Sequence, residues 1–205
     1  MPTKNYHHGD LKNALIMAGI EVLAKEGTSG LSLRKVASRA GVSHAAPYAH
    51  YTDKQALIAA ISTEGYHMLY ERIQAAISLH AGDPLKTLIE ASWAYVQFAL
   101  DEPDHFRITL SGAVEKEKDY PAYVEISNKS FTAVMNIVKE CQDAGVLDSG
   151  PADLMAISVW SLVHGFVSLL LESQISHTLL ERMSVREMLL FSLNQITRID
   201  ISKLR

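Results

Sequence analysis

Residues 43–51, Ser-His-Ala-Ala-Pro-Tyr-Ala-His-Tyr, bring two histidines, two tyrosines, a hydroxyl and a proline into nine positions. An imidazole can ligate a metal, or hydrogen-bond to a base edge or a phosphate. Hydroxyls and phenols can donate to phosphate, and alanines are small enough to lie against thymine methyl groups. Cations flank the stretch at Arg34, Lys35 and Lys54, and an amino-terminal arm, Thr-Lys-Asn-Tyr-His-His, adds more polar groups. His7, His8 and Asp10 could suggest a metal site, but adjacent histidines on an arm close no tetrahedral set without further ligands. No metal is expected there. Whether residues 43–51 form a metal loop, a structural corner or a contact surface depends on the elements that hold them.

Spacings of three and four between apolar residues recur throughout, and no run alternates with period two long enough to make a strand. The expectation is an all-α chain of about nine helices. Leu11, Leu15, Ala18 and Val22 line one face of a first helix over about residues 9–26, with Gly27 as its stop signal. Ser32 can cap a short second helix, Gly41 supplies a turn, and Ser43 can cap a third helix. Thr52 and Gln55 have capping-box spacing and should open a fourth helix reaching about residue 80. Asp83 and Pro84 restart the pattern, with Leu85, Leu88, Ile89, Trp93, Val96 and Leu100 as the apolar stripe, and Pro103 ends that helix. A short helix over about residues 105–110 and a longer one over 121–145 should follow. Residues 154–171 carry no formal charge, and at that length they approach a membrane span. Three serines, Gly165 and His164 dilute the run, so a helix buried on more than one side is expected instead, with no membrane contact. Ser184 and Glu187 have capping-box spacing and open a last helix, with Leu189, Leu193, Ile196 and Ile199 on it.

Two short helices across a tight turn, behind a longer first one, make a helix-turn-helix, whose second short helix enters the major groove. The candidate DNA contacts are then Ser32, Arg34, Lys35, Ser43, His44, Ala45, Ala46, Pro47, Tyr48, His50 and Lys54, while Tyr51 is expected in the core. Ser43 can donate to a phosphate, His44 can bond to a base edge or a phosphate, and Pro47 can pack on base edges. Arg34 and Lys35 sit in the first turn of their helix, where they oppose its dipole but would stand beside a bound phosphate. Charge agrees: residues 1–54 hold seven Lys/Arg against four Asp/Glu, whereas the rest holds twelve against nineteen. A basic head on an acidic body suits a polyanion at the head alone. The expected boundary divides a DNA-binding domain, 1–54, from a helical body, 55–205.

Residues 31–61, LSLRKVASRAGVSHAAPYAHYTDKQALIAAI, resemble the DNA-binding domain of the TetR family of bacterial transcriptional regulators. The family pattern has a hydroxyl and a basic residue opening the second helix, an Ala-Gly-Val-Ser turn, then tyrosine, an aromatic and lysine. These fall on Ser32, Arg34, residues 40–43, Tyr48, Tyr51 and Lys54. Many members carry glycine and threonine or serine ahead of an aliphatic residue where this chain has Ala45, Ala46 and Pro47. The missing hydroxyl at Ala46 removes one contact to phosphate or base, so the operator does not carry over from other members. Residues 159–170, VWSLVHGFVSLL, are similar to the Trp-His-Gly signature of one subgroup, at Trp160, His164 and Gly165, and the opening YHHGDLKNALI fits the same likeness. The resemblance implies a ligand-responsive repressor that binds a palindromic operator as a homodimer and is released by a small-molecule effector, with no cofactor.

In the body, Trp93, Phe98, Phe106, Tyr123, Phe131, Trp160 and His164 are candidates for an effector cavity, although aromatics at helical spacing also build ordinary cores, and a histidine on an apolar helix is more often a hydrogen-bonded core residue. The stripe Ser158, Ser161, Gly165 and Ser168 lets another helix approach closely. With Leu189, Leu193 and Ile196 it marks the expected dimer interface, a four-helix bundle formed by the last two helices of each subunit. Cys141 follows Glu140 and lacks a basic neighbour, so it is not expected to sense redox state. A single cysteine and no secretory pattern at the amino end suggest a cytoplasmic protein. No glycine-rich phosphate loop, serine nucleophile motif or carboxylate pair stands out, so an enzyme is not expected. The alternative from another class is a small-molecule binding or interaction protein whose helix-turn-helix serves as a platform without sequence-specific DNA binding.

Overall fold

The computed structural model describes residues 8–201, and most of the helices among them follow from the spacings above or from a local cap. The helices are α1 (His8–Gly30), α2 (Leu33–Ala40), α3 (Lys54–Leu79), α4 (Pro84–Asp101), α5 (Pro103–Leu110), α6 (Pro121–Asp143), α7 (Ala152–Leu171), α8 (His177–Arg182) and α9 (Val185–Asn194). Single 3-10 turns lie at Ala46–Ala49 and Glu117–Asp119, and no strand occurs among the described residues. The amino-terminal arm through His7 lies outside the described residues, as do the side chains of His8 and Asp10, and the contacts expected of the arm fall there with them.

The described chain forms two compact units. The first runs to Tyr66 and takes up Asp104–Ile126; the second holds His67–Pro103 and the chain from Ser127 onward. The first unit therefore extends past residue 54, into α3. Its core is built from the faces that the spacing marks: Leu15, Val22, Val36, Leu57, Ile58 and Ile61 are buried together, and Leu31, Leu33 and Tyr51 close it. Gly19 lets α3 approach α1, since a Cβ there would meet Ile61 Cδ1 at 2.9 Å. The glycine stop in α1 is real: Gly27 has φ 66°, a left-handed conformation that interrupts the helix before one more turn reaches Gly30.

In the second unit α4 packs against α7 and α9. Asp83 caps α4 as expected, accepting from Lys86 N at 3.0 Å, and Pro84 fills its first position. The Ser184–Glu187 capping box opens α9 as expected. That helix is shorter than its apolar pattern suggests. It ends at Asn194, because Arg198 N donates to Val146 O at 2.8 Å and Asn194 Oδ1 accepts from Ile201 N at 2.7 Å, which draws the following segment off the helical path. Ile196 and Ile199 consequently lie beyond the helix. The six-residue α8, capped by Ser176, has too few turns to leave a period in the sequence.

Helix α7 departs from expectation in its burial. It is long and apolar enough to cross a membrane, but within the chain only one stripe, Ala156, Val159, Val163 and Val167, is buried. Leu154, Ile157 and Leu169 on its other side are exposed, because α4 and α9 pack against a single face.

Candidate nucleic-acid interface

Two caps, one at each end of α2, shape the helix-turn-helix. Ser32 begins α2, its side chain accepting from Lys35 N at 3.2 Å. Gly41 ends α2 with φ 68°, where its N–H and that of Val42 reach back to Ser38 O and Ala37 O at 3.3 and 3.0 Å. That pair of bonds is a Schellman motif, and it turns the chain sharply into residues 43–51. The buried face of α2 is Leu33, Val36 and Ala37; Arg34, Lys35, Ser38 and Arg39 are therefore left exposed.

The third element is a correction to the sequence reading. Instead of an α-helix capped by Ser43, a single 3-10 turn spans Ala46–Ala49, with no side-chain cap. Proline has no N–H to donate to Ser43 O, so the bonds run over three residues: Ala46 N to Ser43 O, Tyr48 N to Ala45 O and His50 N to Pro47 O. Pro47 itself is buried, so it anchors the turn from beneath and does not offer its ring to base edges. Ser43, His44, Ala45, Tyr48 and His50 are exposed, and Ala46 is half-buried. Tyr51 is core, as expected, and burial together with the charge of Glu64 pushes its hydroxyl up to about 12.

A second correction concerns the start of α3. Asp53, one residue after Thr52, is the cap, accepting from Ala56 N at 2.9 Å, and Gln55 Oε1 is taken instead by Glu115 N. Lys54 is exposed, and its ammonium donates to Thr28 O at 3.1 Å, which leaves two N–H donors for a phosphate. Lys35 pairs with Glu26 at 2.5 Å and Arg39 with Glu21, both half-exposed pairs that water and salt weaken. Arg34 makes no ion pair among the described residues. His44 Nε2 lies 3.1 Å from Ser38 Oγ. No group of His, Cys, Asp and Glu among the described residues could hold a metal.

The body candidates divide between the two units. Phe106 and Tyr123 are buried in the first unit, where Tyr123 meets Tyr66 edge-on at 5.7 Å. The other five lie in the second unit. Phe98 is fully buried under Arg72, and Trp93 lies beneath Arg186, whose guanidinium also clamps Glu90. Phe131, Trp160 and His164 do come together, around a residue that the sequence reading missed. Tyr95 Oη lies 2.8 Å from His164 Nδ1 and accepts from Trp160 Nε1 at 3.2 Å, and Phe131 stands 6.3 Å from the indole. Burial lowers the pKa of His164, which favours the neutral ring. Tyr95 was legible only as a position flanking the α4 stripe, since nothing in one sequence pairs it with a residue 69 positions later. Cys141 is buried, its thiol pushed up to about 12, which agrees with an inert role.

Of the interface candidates, Ser158 and Ser161 are exposed and Gly165 and Ser168 half-buried. Leu189 and Leu193 are fully buried within the chain, so they hold α9 to its own unit; Phe191, 61% exposed, is the large apolar residue that α9 offers outward.

An exposed polar turn set on two capped helices, with cations along its rim, is the surface of a helix-turn-helix DNA-binding protein. Residues 15–61 match the family model for bacterial regulatory proteins of the tetR family, and residues 88–190 match that for the tetracyclin repressor-like C-terminal domain. The chain belongs to the TetR family, and it is a ligand-responsive, DNA-binding transcriptional regulator. A protein of unknown function from Rhodococcus sp. RHA1 has the same fold at 28% identity, with TM-score 0.74, covering 94% of this chain and 96% of that one. A regulatory protein of the tetR family from Rhodococcus RHA1 matches at 22% identity and TM-score 0.73, covering 91% and 96%. The regulator PfmR from Thermus thermophilus matches at 17% and TM-score 0.72, covering 90% and 97%. No curated protein matches this chain in sequence.

Proposed function

We propose that the protein is a homodimeric repressor, acting in the cytoplasm, that binds a near-palindromic operator and is released by a small-molecule effector. Residues 1–54 carry the DNA contacts; residues 55–205 carry dimerisation and effector binding. The observation behind the first role is the exposed set His44, Ala45, Tyr48 and His50, standing outward on a turn that Pro47 and Tyr51 anchor from within. His44 and Ala45 read bases, while Ser32, Arg34, Tyr48 and Lys54 hold the phosphates on either side. Two such heads fit half-sites about one helical turn, roughly 34 Å, apart.

Dimerisation is assigned to the exposed apolar side of α7 with Phe191 of α9, a surface whose natural cover is its own copy across a two-fold axis. The aromatic cluster of Tyr95, Phe131, Trp160 and His164 is the effector-responsive part of the second unit. Trp160, His164 and Gly165 also carry the likeness to the subgroup with the Trp-His-Gly signature. An effector acts by binding better to a state whose head spacing misfits the operator.

The test is selection of bound duplexes from a random DNA pool at near-physiological salt, where non-specific binding fades. A palindromic motif is the expected result. Folded, dimeric protein that selects no motif would return the helix-turn-helix to a mere binding platform.

A further inference from the structure

We propose that Ser38 fixes His44 as a hydrogen-bond acceptor, so that His44 reads the amino group of an adenine or a cytosine; this rests on the DNA-binding reading above. Ser38 is not among the residues that the turn's sequence singles out. It stands on the exposed face of α2, with Oγ 3.0 Å from Arg34 O and 3.1 Å from His44 Nε2.

Proton accounting decides the direction of both contacts. A carbonyl oxygen only accepts, so the single hydroxyl proton of Ser38 is committed to Arg34 O. The contact with His44 is then satisfied in one way: Nε2 carries the proton and donates to the Ser38 lone pair. With the proton on Nδ1 instead, two lone pairs would face each other at 3.1 Å. A neutral imidazole protonated at Nε2 presents Nδ1 as an acceptor. His44 is exposed, and no hydrogen bond to Nδ1 is formed among the described residues.

That polarity separates the two contacts open to His44. Phosphate oxygens only accept, and so do guanine N7 and O6 and thymine O4. The donors in the major groove are adenine N6 and cytosine N4. Every base pair carries one such amino group, so the contact selects which strand bears it: adenine or cytosine over thymine or guanine at one position of each half-site. Ser38 is the positioning residue, acting through His44 without touching DNA.

The test uses the intact protein at about pH 8, where an ordinary imidazole is neutral. Two-bond proton–nitrogen NMR correlations, with His44 assigned from the signal lost in His44→Gln, should show a protonated Nε2 and a bare Nδ1. Duplex selection should show the adenine-or-cytosine preference with wild-type protein. Ser38→Ala should weaken it about fivefold, the discrimination that one hydrogen bond sustains, and Ser38→Thr should keep it. A proton on Nδ1, or a base preference indifferent to Ser38→Ala, overturns the proposal while leaving the regulator intact. Absence of any motif for wild-type protein overturns both together.

Discussion

Helices α2 and α7 solve the same packing problem and then diverge. Each buries one stripe at spacings of three and four, Leu33, Val36 and Ala37 in α2, and Ala156, Val159 and Val163 in α7. What differs is the face left over. On α2 it carries Arg34, Lys35, Ser38 and Arg39; on α7 it carries Leu154, Ile157 and Leu169. A burial stripe specifies how a helix sits in its own chain, while the opposite face specifies what it meets outside it. Cations and a hydroxyl suit a polyanion, whereas leucine and isoleucine left in water suit an apolar partner surface.

The sharpest way to break that contrast is to charge the α7 face. Ile157→Glu or Leu169→Glu touches no buried stripe, so each chain should stay folded while the proposed dimer comes apart. Operator affinity should then fall by about 100-fold or more, because two linked heads become independent ones. Light scattering and a binding titration read the two effects separately. A variant that keeps both its dimer mass and its affinity would show that the interface lies elsewhere.

A smaller effect separates the two sides of α9. Leu189 is fully buried, and Leu189→Ala should cost about 2–5 kcal/mol in urea unfolding through the cavity it leaves. Phe191 is mostly exposed, so Phe191→Ala should change the stability of the isolated chain by less than about 0.5 kcal/mol and act on association. Equal costs at the two positions would dissolve the distinction between inner and outer faces.

These faces also mark where sequence reading works. Periodicity located the longer helices, and Ser32, Gly41, Asp83 and Ser184 signalled their own ends, because a cap is a local bond between near neighbours. Where two neighbours could cap, the reading chose wrongly: Thr52 and Asp53 both qualify, and the demand of Glu115 N on Gln55 decided for Asp53. The turn after Gly41 was located, but the geometry of the element beyond it was not, because the loss of one N–H at Pro47 converts an α-helix into a 3-10 turn and buries the ring. Long-range partners were not legible at all. Tyr95 joins Trp160 and His164 across more than sixty residues, and in one sequence that relation leaves no spacing to read.

On the α2 side, Arg34 is the cation without an ion pair among the described residues. Arg34→Ala should weaken binding to all duplexes alike and reduce the slope of log affinity against log salt by about 0.9, one phosphate's worth of released counterions. Lys35→Ala should change that slope less, since its ammonium is shared with Glu26. An equal loss at the two positions would mean that the Glu26 pair dissolves when DNA binds.

The finest test falls on His164, which sits on α7 between the buried stripe and the outer face. Burial lowers its pKa below the ordinary 6.5, so between the two values the unfolded chain binds more protons than the folded one. Stability should therefore hold above that window and fall as pH descends through it. In His164→Gln no ring titrates at this position, so the loss specific to His164 disappears. Urea midpoints taken from about pH 8 to about pH 5.5 should show the wild-type protein's advantage over His164→Gln shrinking with acid. A gap that stays constant would mean that the ring takes up its proton as readily in the fold as in the open chain. The inner face of α7 would then be wetter at His164 than its packing against Tyr95 implies.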